Sequence, residues 1–276
     1  MVLTSEDSST LTFVVSSLRI PESNGGRAAG FNLDGWDDGS GNEEGASCDR
    51  FSADFRSTSG GRVGIDNAFS GLISTFEGLL DVDGCPGMEG RGCIDAAIQA
   101  AINDGSFLLL LEVSDVDDPT NDDDVGVTLH AAELEGGGAP EVDGTARLVS
   151  GQRFQVLATR AETTRGDIFQ SVVRVGWSSV QLMPPTLTAG ARIPASLDDV
   201  ELRITLGGGA ASGEVGGVRT IDAALVGELG DSEIASTVEL VLQSVADLSP
   251  SSGDAAVCEA ISIGLELDAV GAVRVP

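Results

Sequence analysis

Downstream of residue 107 the apolar and polar positions of the chain alternate with a period of two. In "VELRITL", Val200, Leu202, Ile204 and Leu206 fall on one face and Glu201, Arg203 and Thr205 on the other. "ISIGLELDAV" does the same with Ile261, Ile263, Leu265 and Leu267. Such alternation predicts strands with one buried face. Further strands are predicted at 107–113, 125–134, 145–157 and 169–182, with turn residues between them. Near the N-terminus, "LTFVVSSLRI" alternates at Leu11, Phe13 and Val15 and then changes phase to Leu18 and Ile20, as a strand with a bulge or bend does.

A second periodicity interrupts the first. "GIDNAFSGLISTFEGLL" and "CIDAAIQAAINDG" predict helices capped by Asp66 and Asp95, the second one ended by Gly105. In "SEIASTVELVLQSVADLSP" the residues Ile234, Val238, Val241, Val245 and Leu248 form one apolar stripe, and Pro250 stops the run. A short helix is also expected at "RTIDAALVGEL". Together these patterns predict a mainly β fold, β-sandwich-like and mostly antiparallel, with several packed α-helices. Residues 1–10 read as a flexible lead and 11–276 as a single β-rich domain with helical insertions. The chain shows no internal repeat at a fixed period.

Charge narrows the function classes. The 276 residues are 41% hydrophobic, ample for a core, yet carry a net charge of -29. All 15 basic residues are arginine. Such a surface repels phosphate backbones and anionic bilayers, which excludes nucleic acid and an anionic membrane face as main partners. No apolar run has the length of a transmembrane segment. The polar lead "MVLTSEDSSTLTF" lacks the basic and apolar regions of a signal peptide, and is what remains when a signal peptide or lipoprotein leader has been removed. Four cysteines, Cys48, Cys85, Cys93 and Cys258, allow three pairings. The short "CPGMEGRGC" loop makes Cys85 with Cys93 the easiest closure and leaves Cys48 for Cys258. Zinc competes poorly, because there is no CxxC pair and His130 is the only histidine. Disulfides imply an extracellular or cell-envelope location.

Three stretches, "GFNLDGWDDG" with "GIDNAFSGLI" downstream, "IDAAIQAAINDGSFLLLLEVSDVDD" and "CEAISIGLELDAV", resemble segments of secreted or lipoprotein-type proteins of myxobacteria and their relatives, a group without an assigned activity. The resemblance covers about a third of the chain and carries no catalytic residues. It implies an exported cell-envelope protein.

The chemistry that the sequence offers is acidic. "DVDDPTNDDDVG" sets Asp115, Asp117, Asp118, Asn121, Asp122, Asp123 and Asp124 on a hairpin connection, where their oxygens suit a hard cation such as calcium. Asp34, Asp37 and Asp38 form a second candidate loop, although Trp36 and Gly45 break the EF-hand template there. The competing expectation is a hydrated turn whose charges aid solubility. Against an enzyme, His130 alternates opposite Val127 and Leu129 on an exposed strand face, no lysine exists, and "LGGGAASGEVGG" does not combine the strand, glycine spacing and helix of a dinucleotide site. A carboxylate pair suited to glycoside hydrolysis cannot be located among 44 acids. Trp36 is the one aromatic placed to serve as a sugar platform, whereas Trp177 belongs to a strand pattern. The expected function is that of an envelope or extracellular structural or interaction protein, calcium-stabilised, whose partners are other envelope proteins, copies of itself or glycans. The alternatives are a calcium-dependent carbohydrate-binding module and an envelope hydrolase using paired carboxylates.

Overall fold

A computed structural model describes residues 9–21, 23, 26–36, 48, 54–58, 61–73, 75, 92–182, 196–229, 235–249 and 257–276. Eight long strands form its frame: β1 (Ser9–Arg19), β4 (Leu109–Val116), β5 (Asn121–Leu134), β6 (Arg153–Phe169), β7 (Val172–Gln181), β8 (Ser196–Gly207), β9 (Ala210–Thr220) and β10 (Ala260–Gly271). The short β2 (Arg27–Ala28) and β3 (Arg56–Ser57) pair only with each other, and β11 (Val273–Val275) runs parallel to β6 at Arg153 to Gln155.

Each long strand pairs antiparallel with the next one in the chain, and β10 returns to β1 with Leu18 opposite Leu267. The sheet therefore closes into an eight-stranded up-and-down barrel, which corrects the expected sandwich. Alternation specifies that one face is buried; it does not specify whether that face meets a second sheet or its own far wall. Closure is uneven. β6 and β7 share a ladder of only three residue pairs, Asp167 to Phe169 with Arg174 to Val172. The register of β1 shifts between Val15 and Ser17, as the phase change in its sequence predicts.

The lumen is filled. Side chains such as Leu111, Leu129, Trp177, Leu197, Leu202 and Leu265 leave a void of about 40 Å³ with apolar walls. An eight-stranded barrel is just wide enough for this kind of filling. The α1 helix (Cys93–Asp104) covers the outside of β1, tied on by Gln99 Nε2 to the Ser16 carbonyl (2.9 Å) and by the Ile20 N–H to Asp95 (2.9 Å). β1 is thus buried on both faces. Asp95 is not the cap; Gly92 occupies that position, and Gly105 ends the helix with φ 84°. Helices α2 (Ala223–Leu229) and α3 (Ala235–Val245) join the same core through Leu225, Val226, Val238 and Leu242. Of the expected stripe, Leu248 instead forms a β-bridge with Ala260, and Ile234 and Pro250 lie outside the described residues.

β9 is absent from the predicted strands because Gly213, Gly216 and Gly217 erase its alternation. Their smallness has a cause. Residues 26–36, 54–58 and 61–73 form a strap across the outside of β9 and β10, where Gly216 faces Gly264. The Phe31 ring lies on Gly216, and the Ala29 carbonyl lies where a Cβ on Gly264 would stand. Asn67 locks this crossing by donating to the carbonyls of Ala29 (2.7 Å) and Gly264 (3.2 Å). The Cys48–Cys258 disulfide, expected from the sequence, spans 210 residues and fixes Cys48 to the approach to β10. Cys85 and the Cys93 side chain lie outside the described residues.

Candidate functional sites on the outer wall

The aspartate-rich stretch forms the β4–β5 hairpin, with Asp117, Asp118, Pro119 and Thr120 between the strands. Four of its carboxylates, those of Asp115, Asp118, Asp122 and Asp124, are engaged locally. Asp122 accepts from the backbone N–H of Asp117 (2.7 Å) and of Asp124 (3.2 Å), and the first of these bonds holds its pKa below the ordinary carboxylate value. Asp118 accepts from Thr120 N–H, and Asn121 from Gln170 N–H. Asp115 and Asp124 converge on Arg165, at 2.9 and 3.4 Å. Among the described residues no group of three or more His, Cys, Asp or Glu side chains is arranged to hold a metal ion.

A second set of carboxylates gathers in the strap and beneath it. The turn "NLDGW" is ordered by its own side chains: Asn32 accepts from Gly35 N–H and donates to the Trp36 carbonyl, while Asp34 accepts from Trp36 N–H. Asp66 then receives the N–H of Leu33 (2.6 Å) and that of Asp34 (3.4 Å). Asp66 is not the helix cap expected of it; Asn67 caps the 3-10 turn Ala68–Gly71 by accepting from Ser70 N–H. At 4% exposure Asp66 is buried, and burial, then the charge of Asp34, with smaller contributions from Asp54 and Asp247, pushes its pKa up to about 9 against the pull of the Leu33 N–H. Asp247, tied to the hydroxyl and the N–H of Ser262, is raised by its burial to about 6. Asp34 therefore has buried carboxylate neighbours that the sequence did not point to. Asp37 and Asp38 lie outside the described residues. Trp36 stands on this turn at 51% exposure.

His130 is buried, at 6% exposure, rather than on an exposed face. Its Nδ1 is 3.4 Å from Thr159 Oγ1, its Nε2 has no hydrogen-bond partner among the described residues, and burial lowers its pKa. Among the described residues no serine or aspartate side chain is hydrogen-bonded to this imidazole.

A groove of about 710 Å³ separates the strap from β6, β7 and β8. Phe31, Arg62 and Val63 form one wall, Arg165 and Asp167 the other, and Gly176, Glu201 and Arg203 the floor. Arg62 is anchored on Glu214 of β9 at 2.6 Å and stacks on the Phe31 ring, 5.4 Å from its centroid. The residues of this groove are scattered over five segments, so no local motif announces it.

Comparison with known proteins adds no relative: no family model fits the chain, and no curated protein and no solved structure matches it. No helix among the described residues is long and apolar enough to cross a membrane.

Proposed function

We propose that this is an exported protein of the cell envelope or extracellular space that works as a structural or interaction module, meeting its partner on the outer wall of the barrel. The filled lumen carries this reading: a void of about 40 Å³ with apolar walls is too small for a sugar unit or a peptide side chain, whereas the outer wall carries the strap, the groove and the exposed Trp36. The Cys48–Cys258 bond supports an oxidising compartment, as does the resemblance to exported myxobacterial proteins. Its partners on this reading are other envelope proteins, a second copy or glycans. Calcium as a structural ion belongs to this reading; the neighbouring Asp34 and Asp66 support it, although among the described residues no group of three or more acidic side chains is arranged to hold the ion. A calcium-dependent carbohydrate-binding module is the second reading, favoured by Trp36 standing exposed on the turn that these carboxylates order.

The two tryptophans make the test direct, since Trp177 reports from the lumen and Trp36 from the surface. Trp36→Phe and Trp177→Phe variants should be titrated with glycan and envelope-protein panels, with and without calcium. Emission changes confined to Trp36, or saturable binding with neither tryptophan perturbed, support the outer-wall reading. A stoichiometric ligand that shifts Trp177, or turnover of a polysaccharide, overturns it.

A further inference from the structure

We propose that the groove between the strap and strands β6 to β8 binds an acidic carbohydrate, a sugar unit bearing a carboxylate or sulfate, with the anionic group held between Arg174 and Arg203. The inference deepens the outer-wall reading and rests on it.

Four of the 15 arginines of a chain with net charge -29 line this one groove: Arg62, Arg165, Arg174 and Arg203. Two of them are neutralised, Arg62 by Glu214 and Arg165 by Asp115 and Asp124. Arg174 and Arg203 stand directly opposite each other on neighbouring strands β7 and β8, a like-charge pairing that costs stability and that Asp167, in register with Arg174 on β6, does not close as an ion pair. Glu214 is the cross-strand neighbour of Arg203 but is held by Arg62 and by the Gly30 N–H. Arg174 rests on the Phe169 ring at 5.3 Å, and among the described residues neither arginine has an ion-pair partner. Burial lowers the pKa of Arg203, and the positive charges of Arg62 and Arg174 add to this against the pull of Glu214. Guanidinium groups in such a pair offer forked donors to a carboxylate or sulfate.

The rest of the lining selects the body of the ligand. Asp167 and Glu201 share the groove with the arginines and would repel a bare polyanion. Carboxylates accept hydrogen bonds from hydroxyls, so a ligand with one anionic group and several hydroxyls satisfies both sets of side chains. The volume of about 710 Å³ suits one or two sugar units. Gly176 keeps the floor low, and a Cβ there would meet only the Val200 carbonyl oxygen at 3.6 Å, an ordinary contact. The backbone therefore tolerates a side chain that would occupy the groove.

Calorimetric titration of the full oxidised chain at fixed ionic strength tests this, with glucuronate, a sulfated monosaccharide, inorganic sulfate and glucose as separate ligands. The expected result is one-to-one binding of one of the acidic sugars, with sulfate weaker and glucose silent; which acidic sugar binds distinguishes carboxylate from sulfate. Arg174→Gln and Arg203→Gln should each weaken binding by on the order of tenfold, as loss of a charged hydrogen bond does. Gly176→Val should do likewise by filling the floor with no change in charge, and Arg147→Gln, whose partner is Asp268, should leave binding unchanged. Equal binding of inorganic sulfate and the acidic sugars, no binding of either sugar, or unchanged affinity in both arginine variants overturns the inference. The outer-wall reading survives that result unless a ligand shifts Trp177 emission or a polysaccharide is turned over.

Discussion

The indole N–H of Trp177 on β7 donates to the carbonyl of Glu162 on β6 at 3.0 Å, across a stretch where the backbones of the two strands no longer pair. A side chain thus continues a ladder that stops after three residue pairs. Trp177→Phe keeps most of the buried volume and removes the bond, so it should cost about 1 kcal/mol in denaturant unfolding. Amide hydrogen exchange should rise along β6 upstream of Asp167 and not along β4. Unchanged exchange at β6 would show that the indole does not hold the seam.

The raised pKa of Asp66 gives stability a definite pH dependence. An acid whose folded pKa is about 9, against an ordinary 3.8, keeps a proton that the unfolded chain releases. The stabilisation it contributes is full below the unfolded value and is lost as pH rises through the folded one, at up to about 1.4 kcal/mol per pH unit. In chelator, Asp66→Asn should flatten this slope and be more stable than the parent at pH 8. Thermal unfolding across pH in both proteins checks it, and equal slopes would refute the assignment.

Calcium should act on the same cluster. At 100 times its dissociation constant a single bound ion adds about 2.7 kcal/mol, which raises the Tm by a few degrees at this chain length. The shift should appear at constant ionic strength, vanish in chelator and be lost in Asp66→Asn. A shift retained in Asp66→Asn and lost when Asp117 and Asp122 become Asn would move the site to the β4–β5 hairpin.

Gly264 has no room for a side chain. A Cβ there would collide with the Ala29 carbonyl oxygen and stand 2.7 Å from Asn67 Nδ2. Gly264→Ala should therefore cost about 2 kcal/mol or more and loosen the strap. Limited proteolysis within residues 26–36 reads the second effect. Gly176→Ala, on the same outer wall with open space above it, should be near neutral.

Removing the Cys48–Cys258 bond by a double serine substitution should cost about 4–5 kcal/mol, because a closure over 210 residues restricts the unfolded chain strongly. Chemical denaturation of the oxidised parent and the variant measures it. A loss below 1 kcal/mol would indicate that the unfolded chain is already compact.

Strands such as β8 and β10 are legible because Leu202, Ile204, Ile263 and Leu265 face the lumen while their neighbours face outward. The barrel was not, since closure lies in pairings between strands rather than within them. β9 was hidden by glycines whose reason is the strap above them, and His130 was misplaced because alternation says which residues leave the lumen, not what covers the outside. At the candidate sites the aspartate counts were visible, but Asp66 looked like a cap until the "NLDGW" turn folded onto it, and Arg174 met Arg203 only through strand register.

The pairing of β1 with β10 also sets when the molecule can form. The wall cannot shut until β10 has been synthesised, and Cys48 cannot find Cys258 earlier. On the proposed exported reading, the chain stays threadable through a narrow translocation channel until β10 has passed, and barrel closure and oxidation then arrive together.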